Sequence, residues 1–157
     1  DDIINSLIAK GVKIVYITLH VGLGTFLPIR TDLVEDHHMH QEHFDIPKET
    51  VAIIQSAKAS GKKVIALGTT VARTLEYAAD LLKNDSVDIS GEADIFIYPG
   101  YKFKVIDGLL TNYHAPKSTV LMLTAAFARR DKLLPAYEHA IVEKYHFFSY
   151  GDSMLIL

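Results

Sequence analysis

The sequence predicts an α/β fold, with a mostly parallel or mixed sheet flanked by helices. Three observations carry this. Segments with apolar residues at helical spacing alternate with short runs rich in Val and Ile. Glycines and threonines gather at the carboxyl ends of those runs, and the order helix, strand, glycine loop, helix repeats. That alternation marks strand and crossover-helix units, whose ligands bind at strand carboxyl ends.

The elements follow in order. Ile3, Ile4, Leu7 and Ile8 share a helical face, and Gly11 is the expected stop. "VKIVYITL" is expected as a strand buried on both faces, followed by a loop over 20–32. Pro47 opens a second helix, with Val51, Ile54 and Ala57 on one face and Gly61 at its end. "KKVIAL" is the next strand, and "GTT" leads into the helix "VARTLEYAADLLK". The polar stretch over 84–94 reads as a loop, and 95–113 as short strands punctuated by Pro99, Gly100 and Gly108. Ser118 is placed to cap the helix "TVLMLTAAFARR", a last helix is expected near 135–146, and "SMLIL" closes as a strand.

Composition narrows the function. The 157 residues, 49 % hydrophobic and 22 % charged, suit one soluble domain. Without cysteine there is neither a disulfide nor a thiolate metal site. The acidic, amphipathic start is unlike a signal peptide, and no apolar run has the length of a membrane span, so a cytoplasmic protein is expected. A net charge of -3 argues against a large nucleic-acid footprint on this chain alone. The chain starts at Asp1 without Met, as a processed protein or excised fragment would.

Four segments carry chemistry. In "LHVGLGTF", Gly22 and Gly24 let a ligand approach the backbone while His20 and Thr25 add polar contacts; a tight turn is the competing reading. In "GTTVARTLE", Gly68, Thr69 and Thr70 precede a helix whose first N–H groups favour a carboxylate or phosphate. Arg73 and Glu76, three apart, either serve that site or form a surface ion pair. "EDHHMHQEH" brings His37, His40 and His43 to helical spacings without a clean zinc pattern, and a polar substrate pocket is the preferred reading. "TNYHAPKST" sets Asn112, His114 and Ser118 between a strand and a helix, adding a further histidine-bearing strand end.

In order and spacing, "LHVGLGTFLPI", "EDHHMHQE", "VIALGTTVARTLE", "DIFIYPGYKFKVIDGLLTNYHAPKSTVLML" and "EKYHFFSYGDSMLI" resemble the S-adenosylmethionine:tRNA ribosyltransferase-isomerase family of queuosine biosynthesis. The match spans essentially the whole chain. It implies that residues 1–157 are the C-terminal part of a larger α/β domain whose upstream half and inserted β-barrel are absent, with no second domain here.

The resemblance implies transfer and isomerisation of the ribosyl moiety of S-adenosylmethionine onto 7-aminomethyl-7-deazaguanine at the tRNA wobble position. The products are epoxyqueuosine-tRNA, adenine and methionine. S-adenosylmethionine is a substrate, and no metal or redox cofactor is implied. The partners are that tRNA and S-adenosylmethionine, with no membrane; self-association of the fragment through an exposed sheet edge or apolar interface is expected.

A sulfonium acidifies the adjacent C5′–H, so the reaction calls for a base. His114, His40 and His20 are the first candidates, with Glu42 and Asp152 behind them. Substrate binding falls to Gly22, Gly24, Thr25, Phe26 and His37, to Gly68, Thr69, Thr70, Arg73 and Glu76, and to Tyr98, Pro99, Gly100, Asn112 and Ser118. Arg73 is placed to meet the methionine carboxylate, and Tyr98 or Tyr113 to stack on a base. The rival readings are a non-catalytic nucleotide- or tRNA-binding domain and a histidine-rich metalloprotein.

Overall fold

The computed structural model describes residues 2–22, 28–84 and 87–157. Helix α1 (Asp2–Ala9) and helix α2 (Lys48–Ala59) both end as the sequence expects. Gly11 (φ +82°) and Gly61 (φ +65°) take the left-handed conformation, and the amides of Val12 and Lys62 bond back to Leu7 O (3.0 Å) and Ala57 O (2.8 Å). Those are the long closing bonds of a Schellman cap, which a side chain at the glycine would strain.

The run 12–18 departs from expectation. Only Thr18–Leu19 forms a strand, β1, and Val12 and Tyr16 are 46 % and 72 % exposed. An apolar run is buried on both faces only where other elements cover both faces, and α1 before it buries no residue at all.

Two strands lie where none was expected. β2 (Glu42–Ile46) occupies the end of the histidine-rich segment, and β4 (Ile89–Ala93) occupies the polar stretch read as a loop. They pair antiparallel from Glu42↔Ala93 to Ile46↔Ile89, and β1 adds to the other edge of β2. A half-buried strand needs apolar residues only on alternate positions. Phe44 and Ile46 supply them in β2; in β4, Ile89 and Ala93 flank Gly91, where an added Cβ would stand 3.2 Å from the Phe44 ring.

The second sheet is mixed. β3 (Ile65–Leu67) runs parallel to β5 (Gly108–Asn112), which pairs antiparallel with β6 (Ser153–Ile156). The strands thus divide between two three-stranded sheets, and one pair is parallel. Of the expected short strands over 95–113 only β5 forms.

Helix α3 (Thr69–Tyr77) follows β3 and ends earlier than expected, giving way to a 3-10 turn at Leu81–Lys83. α4 (Thr119–Ala128) meets α5 (Arg130–Val142) at Arg129, whose φ of +68° turns the chain and starts α5 before Pro135 rather than at it. Between the sheets and helices lies one core, with Phe44, Ile46, Val51, Ala66, Leu75, Ile97 and Leu109 among its most buried members. No helix among the described residues is long and apolar enough to cross a membrane.

Candidate functional site at the α3 and α4 N-termini

The N-termini of α3 and α4 line one narrow cleft. From α3 come Thr69, Thr70 and Arg73; from α4, Thr119, Val120 and Leu123. Ile95, Phe96, Ile97 and Met39 complete the wall, and the space amounts to about 20 Å³, the room of a single water. Gly68 turns the chain from β3 into α3 at φ +95°, its N–H bonded to Leu110 O at 2.8 Å, and no side chain caps the helix there. α4 is capped as the sequence expects: Ser118 Oγ accepts the Leu121 N–H at 3.2 Å and donates to Ala115 O at 2.8 Å.

Arg73 and Glu76 are not a surface pair. Both are buried, and they face different partners. The Arg73 guanidinium donates through Nη2 to Glu42 Oε2, which the alternation of β2 turns inward, and the Gly22 N–H bonds the other Glu42 oxygen at 3.1 Å. Nε and Nη1 of Arg73 have no hydrogen-bond partner among the described residues. Burial holds the Arg73 pKa below its ordinary value. The Glu76 carboxylate instead accepts the N–H groups of Lys104 (2.8 Å), Val105 (2.9 Å) and Ile106 (3.0 Å) and the Tyr101 hydroxyl (3.2 Å). It anchors the segment between β4 and β5.

The histidines occupy separate positions. His37 stands edge-on to Phe96, 4.9 Å between centroids, beside the cleft, and its pKa is lowered by burial and by the neighbouring His38 and His40. His40 is exposed. His20 is also exposed and stacks at a tilt on His43 at 5.6 Å, while His43 Nδ1 meets Glu92 at 2.9 Å on the outer face of β2. Among the described residues, no three His, Asp or Glu side chains are grouped as metal ligands.

His114 is half-buried after β5. Its Nε2 lies 2.9 Å from Thr111 Oγ1, and its backbone N–H donates to the Tyr137 hydroxyl at 2.9 Å. Burial lowers its pKa to about 4, so the imidazole is neutral near pH 7.

The remaining sequence candidates support loops in this chain. Tyr98, Pro99 and Gly100 form a turn closed by Tyr101 N–H to Tyr98 O at 3.1 Å, with Phe96 5.3 Å from the Tyr98 ring. Asn112 donates to Asp152 O at 3.1 Å, and the Asp152 carboxylate accepts the His146 N–H at 2.7 Å. Tyr113 packs among Tyr137, Tyr145 and Phe147. Gly24, Thr25 and Phe26 lie outside the described residues. Their flanks are fixed: Gly22 is held by Glu42, and Ile29 N–H bonds Lys117 O at 2.8 Å beside a Pro28 to Ser118 bridge.

Sequence reasoning missed Met39, Phe96 and Thr119, which line the cleft, and Tyr137, which holds His114. Thr119 had a signal, since it follows the Ser118 cap; Tyr137 is too distant in sequence to have one. A larger depression, about 900 Å³ between α2 and the 3-10 turn, is lined by none of the candidate site residues.

Comparison with known proteins bears on what this cleft serves. A family model described as "Queuosine biosynthesis protein" matches residues 1–156. The S-adenosylmethionine:tRNA ribosyltransferase-isomerase of Chlorobium phaeobacteroides is 61 % identical, with 99 % of this chain and 46 % of the relative covered. That of Halothermothrix orenii is 55 % identical, covering 100 % and 46 %. The crystal structure of S-adenosylmethionine tRNA ribosyltransferase from Thermotoga maritima superposes with a TM-score of 0.82 at 40 % identity, over 99 % of this chain and 49 % of that one. The chain thus spans about half the length of the curated relatives it matches. With the family model running through both helix termini, β2 and the His114 loop, this chain belongs to the queuosine biosynthesis protein family.

Proposed function

We propose that the chain carries the strand-end half of an active site that transfers and isomerises the ribosyl group of S-adenosylmethionine onto 7-aminomethyl-7-deazaguanine in a tRNA anticodon. The products are epoxyqueuosine-tRNA, adenine and methionine, and the setting is the cytoplasm. The observation that carries this reading is the 61 % identity to an enzyme of that name across 99 % of the chain.

The local chemistry supports it. Two helix N-termini and Arg73 border the cleft, and His114, neutral near pH 7 with Nε2 2.9 Å from Thr111 Oγ1, is the first candidate to accept the C5′ proton that the sulfonium makes acidic. His40 and His20, both exposed, are the alternative acceptors. Thr69 and Thr70 line the cleft, Gly68 precedes them and His37 packs on Phe96 of its wall; all four fall to substrate binding. The room of about 20 Å³ accommodates no nucleoside, so the isolated 157-residue chain is expected to turn over little.

The test is release of adenine from S-adenosylmethionine by the protein as its gene encodes it. Release should require tRNA bearing the aminomethyl base and stop with fully modified tRNA. No release with the precursor tRNA would defeat the reading.

A further inference from the structure

We propose that the cleft between the α3 and α4 N-termini is a carboxylate site, taking the amino-acid end of S-adenosylmethionine, with Arg73 as donor and Glu42 as the residue that aims it. This rests on the function proposed above and adds which part of the substrate enters here.

Charge selects the ligand. Each helix N-terminus presents roughly half a positive charge, and the Glu42 carboxylate cancels the Arg73 guanidinium it bonds. Ser118 already caps α4, so the partial positive charge left unmet at the cleft is that of the α3 terminus, which one carboxylate answers. A phosphate monoester, at about -1.5 to -2, overshoots, and a neutral base leaves that terminus unanswered.

The donors are buried, and a ligand reaches them only where the wall gives way. α3 is nine residues long and starts at Gly68 with no side-chain cap. Arg73, only 4 % exposed, keeps Nε and Nη1 without a hydrogen-bond partner among the described residues. A purely structural tie to Glu42 accounts for Nη2 alone. Buried donors left unmet are a standing cost, which an arriving acceptor removes.

Glu42 is a positioning residue. Its Oε2 holds Nη2 while its Oε1 takes the Gly22 N–H, so one carboxylate fixes both the guanidinium and the chain entering the glycine loop. The cleft has room for one water, and the ligand needs more. Met39, half-buried, unbranched and on an irregular segment, is the wall most free to move.

The experiment compares binding of S-adenosylmethionine with its decarboxylated analogue by calorimetry, using the protein as its gene encodes it. Wild type should favour the carboxylate-bearing compound by about ten- to hundred-fold. In the Glu42→Gln/Arg73→Gln variant, a neutral pair of similar volume, the preference should fall to within about three-fold. Thr70→Asp offers a test that does not depend on that pair folding, since an acidic residue stabilises a helix N-terminus. It should weaken S-adenosylmethionine about ten-fold or more and leave the analogue no weaker. Equal binding of both compounds by wild type, or an undiminished preference in either variant, overturns the carboxylate site and leaves the family function standing. The titrations are run with the precursor tRNA present, since release requires it, and wild type that then binds neither compound defeats the function itself.

Discussion

Arg73 on α3 and Glu42 on β2 form a buried ion pair that ties the helix following the mixed sheet to the antiparallel sheet. Their side chains are 5 % and 0 % exposed, so neither charge has water to fall back on if the other is removed. Arg73→Ala should destabilise the fold by about 3–5 kcal/mol, and Glu42→Gln/Arg73→Gln should recover most of that. Urea denaturation at pH 7 measures both. Equal losses in the single and double variants would show that the pair contributes packing rather than charge compensation.

Glu76 should behave as a structural anchor. Three backbone amides and the Tyr101 hydroxyl end on its carboxylate. Glu76→Gln is expected to cost about 3 kcal/mol, since charged hydrogen bonds are lost and buried amides are left poorly met. The Tyr101 hydroxyl provides a direct readout, because burial first and Glu76 second raise it from 10.0 to about 12. Ultraviolet difference titration should show one tyrosine moving down in the variant, and an unchanged titration would refute the contact.

His114 makes stability depend on acid pH. Its folded pKa of about 4 lies below the ordinary 6.5, so the unfolded chain binds the extra proton between those values. Stability from this group is complete above about pH 6.5 and declines as the pH falls toward 4, by up to about 3 kcal/mol. His114→Asn should flatten that part of the curve, as chemical denaturation from pH 7 to 4 would reveal. If His114 also accepts the C5′ proton, His114→Ala should lower turnover by ~10²–10⁴. Near-native turnover in that variant, with loss in His40→Ala, would move the role to His40.

The isolated chain should self-associate. Ile65, Leu67, Leu155 and Leu157, between 44 % and 72 % exposed, lie on one face of the mixed sheet, and the Ile3, Ile4, Leu7, Ile8 face of α1 buries nothing. Contiguous apolar surface of that kind seeks cover. Light scattering should give a mass that rises with concentration; a strict monomer at high concentration, or an unaltered mass for Leu67→Lys/Leu155→Lys, would contradict the expectation.

The sequence by itself determined the local features. Gly11 and Gly61 end helices because a left-handed residue closes a helix wherever the chain sits, and Ser118 caps α4 through a bond to Leu121 three residues away. The order of motifs was enough to point to the family. Tertiary structure decided what depends on distant partners. Arg73 has Glu76 within reach on its own helix but pairs with Glu42, 31 positions away in sequence, because β2 presents that carboxylate to the buried face. β4 forms from a polar stretch because β2 offers its edge and Phe44 needs a glycine opposite. The run 12–18 reads as a buried strand, yet most of it stays outside the sheets, since periodicity records what a segment is able to bury and packing supplies what covers it.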